Sequence, residues 1–117
     1  MKNNKLNYKG TEYTLVFNLN AMQEIQEEYG SIEKWGALTD GSSGEVNAKA
    51  LIFGLRAMLN EGIDIDNEDN AGVEGYVKKK ALSLKSVGRL LTEVGLAEAT
   101  NKLNKTVVES TKSDEKN

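Results

Sequence analysis

Residues 6–30 have the sequence LNYKGTEYTLVFNLNAMQEIQEEYG, in which two alternating runs meet at a Lys9-Gly10 pair. Alternation at every second residue is typical of β-strands, and glycine adopts the positive φ that a tight hairpin turn requires. This stretch therefore predicts an N-terminal β-hairpin. Its apolar face should carry Leu6, Tyr8, Tyr13, Leu15 and Phe17.

An amphipathic helix is predicted to follow the hairpin directly and to end at Gly30. Its N-cap is either Asn18 or Asn20, because both side chains can accept a hydrogen bond from the first helical turn. The apolar stripe of this helix repeats every three or four residues and consists of Leu19, Met22, Ile25 and Tyr29. The stripe should cover the hairpin, since a two-stranded hairpin alone is only marginally stable in water.

A short second helix is predicted after Ser31, which has the side chain of an N-cap residue. Its apolar side should consist of Ile32, Trp35 and Leu38. Residues 39–44 contain no apolar side chain and are expected to form a mobile loop.

The third helix should be the centre of the core. Ser42 and Glu45 have the spacing of a capping box at its start, and Gly62 predicts an end near Asn60. Between these limits the apolar residues cover more of the helix surface than packing against a single neighbouring helix would require. Residues 63–75, which carry five acidic side chains and several glycines and asparagines, are expected to form an irregular loop.

Two more helices are predicted near the C-terminus. Ser83 can cap a helix that ends at Gly95, with an inward face made of Leu84, Val87, Leu90, Leu91 and Val94. The last helix carries Leu96, Ala99, Leu103 and Val107, and residues 109–117 are expected to be a disordered polar tail. The sequence thus predicts a mainly α-helical α+β fold, with the hairpin packed against four or five helices in one domain, residues 1–108.

Composition argues against several classes of function. The formal charge of −3 and the pI near 5.1 do not favour nonspecific binding to nucleic acid or anionic lipid. Without histidine or cysteine the chain lacks the usual general base and the thiolate ligands of metal sites, so we predict no catalytic, metal or cofactor residue and no enzyme. No apolar run approaches the length of a membrane span, and we expect the protein in the cytoplasm.

The acidic stretch and a lysine run are the two candidate ligand sites. Asp64, Asp66 and Glu68 alternate as calcium ligands often do, but glycine and the final carboxylate are missing from the positions that a calcium loop requires, so a solvated surface is favoured. The basic residues that follow Tyr76 suit either a nucleic-acid patch or a solvated face, of which the second is favoured; they are Lys78, Lys79, Lys80, Lys85 and Arg89.

Aromatic and valine side chains supply the candidate protein contacts. Trp35 suits a partner anchor but is favoured as a core residue, and Val107 and Val108 lie where the core of one chain is exhausted. The hairpin also offers a strand edge to a partner. The residues predicted to contact a partner are Tyr8, Tyr13, Trp35, Tyr76, Val107 and Val108.

Residues 7–30, with their glycine turn and a helix ending in Tyr29-Gly30, resemble the start of tail assembly chaperones from long-tailed phages and prophages of Gram-positive bacteria. Residues 86–96 resemble the C-terminal helical part of the same family. The resemblance implies a protein that coats the tape measure protein, recruits tail tube subunits and is absent from the finished virion. It also implies a longer form made by frameshifting, joined through residues 109–117.

An exposed apolar surface that binds the tape measure protein should also allow the chain to associate with copies of itself. Two other functions stay open at this point. One is a small nucleic-acid-binding regulator that uses Lys78 to Arg89, and the other is a structural tail or connector protein of the virion.

Overall fold

The computed structural model describes residues 4–42 and 44–115, with side chains placed through residue 110. It confirms the mainly helical fold with an N-terminal hairpin. In chain order the elements are β1 (Lys5–Tyr8), β2 (Thr11–Thr14), α1 (Leu19–Tyr29), α2 (Ile32–Thr39), α3 (Ala48–Asp69), α4 (Leu84–Val94) and α5 (Leu96–Glu115).

The hairpin has the predicted turn. Lys9 and Gly10 have φ angles of 51° and 79°, and Tyr8 pairs with Thr11 across them. Two positive φ values in a two-residue connection match the right-handed twist of the strands, which is why glycine is favoured at the second position. The register also pairs Leu6 with Tyr13, so the alternating apolar residues share one face as predicted.

Side-chain caps fix the starts of the helices. Of the two candidates for α1, Asn18 is the N-cap, because its Oδ1 accepts from the backbone N–H of Ala21 at 3.1 Å. Asn20 instead donates to Glu61 Oε2 of α3 at 3.1 Å. Ser31 caps α2 and Ser83 caps α4, as the sequence predicts.

The core lies between the hairpin, the three helices that follow it and the pair α4 and α5. Helix α3 is central to it, since α1, α2, α4 and β2 all pack against this helix. The largest fully buried side chains come from β1, from the residue that follows β2 and from all five helices: Leu6, Leu15, Ile25, Trp35, Leu51, Leu55, Met58, Leu59, Leu90 and Leu103.

The predicted limits of α3 are wrong at both ends. The helix begins at Ala48, capped by Asn47 Oδ1 on the N–H of Ala50, so the capping box at Ser42 and Glu45 does not form. At the other end α3 continues through Gly62 to Asp69. Gly62 permits a close approach and does not end the helix, because a Cβ there would overlap the carbonyl oxygen of Thr14. Most of the predicted acidic loop is therefore the last part of α3.

Three smaller expectations also differ from the structure. Thr39 is the last residue of α2 and is fully buried, and its hydroxyl donates to the Trp35 carbonyl at 3.2 Å. The loop therefore begins only at Asp40. Leu84 and Leu96 are 44% and 54% exposed and do not face the core. Helix α5 continues to Glu115, so residues 109–115 of the predicted tail are helical, and residues 116 and 117 lie outside the described part.

Candidate functional site

Two of the six predicted partner contacts lie in the core. Trp35 is 1% exposed, donates from Nε1 to the Ala50 carbonyl at 2.9 Å and stacks on Phe17 with ring centroids 6.3 Å apart. Gly54 makes room for the indole, because a Cβ there would lie 2.7 Å from Nε1. Tyr8 is also buried. Trp35 and Tyr8 therefore stabilise the domain and are not accessible to a partner in this conformation.

The other four contacts are dispersed. Tyr13 is half-buried beneath the Lys79 ammonium, which lies 5.9 Å from its ring centroid. Tyr76 donates from its hydroxyl to Asn67 Oδ1 at 2.7 Å. Val107 packs against the core, and only Val108, at 59% exposure, is on the surface of α5. The structure thus does not bring these six residues together into one site.

The edges of the hairpin are partly covered by the rest of the chain. On the outer side of β2, Lys79 Nζ donates to the Glu12 carbonyl at 3.0 Å, and the N–H of Val16 donates to the Met58 carbonyl at 3.2 Å. On the outer side of β1, Lys102 Nζ donates to the Lys5 carbonyl at 2.7 Å. These bonds engage one outward carbonyl on each strand, so each edge offers a docking strand fewer backbone partners than expected, and strand addition stays a prediction.

The lysine run is interrupted by an inward-pointing member. Lys79 Nζ contacts Asp66 Oδ2 at 2.9 Å, while Lys78 and Lys80 are exposed. The backbone of this segment is held by two asparagines of α3: Asn67 exchanges two hydrogen bonds with Lys79, and Asn60 does the same with Leu82.

The spacing of these two asparagines matches the segment that they hold. Seven residues of α-helix and three residues of extended chain both span about 10 Å, so residues 79–82 run along α3 in the opposite direction. This segment is therefore a structural connection between α3 and α4, and Lys78 to Lys80 do not form a continuous basic patch.

The acidic side chains at the end of α3 do not form a metal site in the part of the chain that the structure describes. Asp66 is engaged by Lys79, as described above. Among residues 4–42 and 44–115 no three carboxylates lie together in an arrangement that could hold a metal ion.

A groove between α3 and α4 exposes apolar side chains on the described surface. Its two hollows, of about 620 and 380 Å³, both have Ile52 and Gly88 in their lining and so lie side by side as parts of this groove. We call it the α3/α4 groove; it is lined by Ile52 and Phe53 of α3, by Leu84, Gly88 and Thr92 of α4, and by Leu96 at the start of α5.

Gly88 forms the floor of the groove. A Cβ at this position would make an ordinary van der Waals contact with Ile52 Cδ1, at 3.7 Å, and would overlap no side chain. Leu84, one turn before Gly88, and Leu96 leave apolar surface exposed at the two ends. Contiguous exposed apolar side chains of this kind mark interaction surfaces more often than isolated ones do.

One end of the groove is bordered by an aromatic and charged cluster. Phe53 packs edge-on against Tyr29, with ring centroids 5.7 Å apart, and lies beneath the Arg56 guanidinium. Arg56 is paired with Glu24 of α1 at 3.0 Å. Burial, followed by the charge of Glu28, raises the pKa of the Tyr29 hydroxyl above its usual value.

Sequence patterns alone do not predict the α3/α4 groove. The one feature of the sequence that points to the groove is the apolar surface of α3, which is wider than packing against one neighbouring helix requires. Which part of that surface stays uncovered depends on where α4 docks, and local patterns do not determine this.

No protein-family model, curated protein or solved structure matches the chain. Within the described residues, no helix combines the length and the apolar character that crossing a membrane would take.

Proposed function

We propose that this protein is a non-enzymatic tail assembly chaperone of a long-tailed phage or prophage, acting in the cytoplasm of the bacterial host. It would bind helical segments of the tape measure protein, help to recruit tail tube subunits and leave before the virion is complete. The resemblance of residues 7–30 and 86–96 supports the family, and the α3/α4 groove is the structural observation that carries the binding role.

The groove suits a chaperone because its apolar surface is exposed but small. An apolar helix in water would bury two or three side chains there, each contributing about 1.5–3 kcal/mol. Association and side-chain ordering cost a comparable amount, so binding of a single segment should be micromolar or weaker. Such contacts keep an aggregation-prone helix in solution and still release it when the tail tube assembles. Self-association through the same apolar surface is part of the proposal.

Co-expression of the full chain with fragments of the tape measure protein from the same phage tests this function. Gly88→Leu would fill the groove, and leucine is also a better helix former than glycine, so the fold should be retained. Gly36→Leu is the matched control, because Gly36 is also helical and has nothing within 4 Å of its Cβ position.

We expect wild type and Gly36→Leu to keep the fragments in the soluble fraction and Gly88→Leu to lose this ability. Equal solubility of the fragments with all three proteins would argue against the groove. A strictly monomeric protein that binds no fragment would contradict the chaperone function itself.

A further inference from the structure

Basic side chains border both walls of the α3/α4 groove. Lys85 lines it on α4, and Arg89 follows one helical turn later on the same face. Lys49 lines it on α3. Among the described residues no carboxylate lies within ion-pair distance of these three cations, whereas Arg56 and Lys79 nearby are paired with Glu24 and Asp66.

The shape of the groove favours a helix as its occupant. Helices α3 and α4 run in opposite directions, since Asn60 contacts Leu82 at one end and Ala48 lines the same hollow as Thr92 at the other. A depression between two antiparallel helices accepts the ridge of a third helix. From Leu84 to Thr92 it extends along about 12 Å of helix axis, which is enough for two turns of a partner helix.

Resting on the proposed function, we infer that the α3/α4 groove selects amphipathic helices whose apolar stripe is bordered by acidic side chains. The stripe would contact Ile52, Phe53 and the surface above Gly88, while the flanking carboxylates would face Lys85 and Arg89 on one wall and Lys49 on the other. These pairs are exposed to solvent, so they would select among helices and contribute little to affinity individually.

A nucleic acid fits the same surface less well. Its phosphates would engage Lys85 and Arg89, but they would also lie over the apolar side chains of the groove. The carboxylate of Glu28, which lines the same hollow, would repel phosphates and peptide carboxylates alike and so does not distinguish the two occupants. Lys79, the central member of the preceding lysine run, is already engaged by Asp66. A protein helix is therefore the favoured occupant, because its apolar stripe matches the apolar floor of the groove and its acidic side chains match the basic walls.

Three labelled, alanine-rich helical peptides with one common leucine stripe test the inference. Their flanking positions carry glutamate, glutamine or lysine, and binding to the full chain is measured by fluorescence anisotropy at low and high salt. We expect the glutamate peptide to bind about tenfold more tightly than the glutamine peptide, an advantage that should shrink as salt screens the exposed charges.

Charge reversal on the protein provides the second arm. The double variant Lys85→Glu and Arg89→Glu should prefer the lysine peptide, and glutamate at position 85 is also favourable in the first turn of α4. The control is Lys78→Glu with Lys80→Glu, which makes the same change of net charge at exposed positions outside the groove. It should keep the preference of the wild type.

The outcomes separate the inference from the proposed function. Equal binding of all three peptides, abolished by Gly88→Leu, would overturn the charge selection and leave the helix-binding groove intact. Absence of binding to any peptide would overturn both. A labelled single-stranded DNA that binds wild type, does not bind the Lys85 and Arg89 double variant and competes with no peptide would replace the inference with a nucleic-acid site.

Discussion

Replacing Gly62 by alanine should destabilise the protein, although alanine is the better helix former. Gly62 lies inside α3, where the carbonyl oxygen of Thr14 occupies the space that a Cβ would take. At an unobstructed helical position the same substitution stabilises by about 0.5–1 kcal/mol. The sign of the effect therefore reports whether the contact between α3 and the end of β2 exists.

The magnitude follows from what the added methyl group must displace. The obstacle is a backbone atom, so a rotamer change cannot relieve the overlap, and the end of the hairpin would have to move by about 1 Å to restore ordinary contact distances. Overpacking of this kind costs about 1–3 kcal/mol. The movement also stretches the bond of 3.2 Å from Val16 N to the Met58 carbonyl, one turn earlier on α3, whose loss costs about 1 kcal/mol. After the gain in helix propensity, a net loss of about 2 kcal/mol is expected.

Urea unfolding followed by the fluorescence of Trp35, the sole tryptophan, measures this difference. The midpoint should fall at an unchanged m-value, and the melting temperature should fall by about 8 °C for a domain of this size. Gly36→Ala is the control, because its Cβ would meet open space, and it should be as stable as wild type or slightly more stable. If Gly62→Ala matched Gly36→Ala, the close approach of Thr14 and the reasoning built on it would be refuted.

Three further changes test other contacts. Asn67→Ala removes both hydrogen bonds to Lys79 and the one from the Tyr76 hydroxyl, and should cost about 2–3 kcal/mol in urea unfolding. Faster amide exchange of residues 76–80 should show that this segment is released, and unchanged exchange would contradict the connection. Trp35→Phe loses the bond to Ala50 and part of the indole, so circular dichroism should report a loss of about 1–3 kcal/mol, and wild-type stability would argue against the buried indole. Because burial raises the pKa of Tyr29 in the folded state, stability should fall as pH rises above about 10, and Tyr29→Phe should reduce this loss; an equal loss in both proteins would contradict it.

Local chemistry accounts for the parts of the fold that the sequence predicts correctly. The Lys9-Gly10 turn, the caps at Asn18, Ser31 and Ser83, and the breaks at glycines after α1 and α4 each involve residues within four positions of one another. Side-chain caps and positive φ values act within one turn of the backbone, so their signals survive without tertiary structure.

The end of α3 depended on a contact that local patterns do not contain. Gly62 has the position of a helix-ending glycine after an apolar stretch, but it lies inside the helix, where the absence of a side chain lets Thr14, 48 residues earlier in the chain, approach closely. Asn60 and Asn67, on either side of Gly62 in α3, hold the returning segment at Leu82 and Lys79. The acidic residues 63–69 consequently lie on an ordered helix and not in the expected loop.

The α3/α4 groove could not be predicted from local sequence patterns for the same reason. Helix α4 has enough apolar residues to cover two surfaces, and the sequence alone assigned Leu84 to the core together with Val87 and Leu91. In the structure Val87 and Leu91 are buried, whereas Leu84 stays exposed and lines the groove together with Ile52 and Gly88. Leucine at that position adds helix propensity but leaves apolar surface in water, and glycine in the middle of a helix lowers the stability of the helix. The exposed Leu84 and the helical Gly88 are both explained if a helix from a partner packs into the groove. Binding such a helix is what the proposed chaperone of helical segments requires.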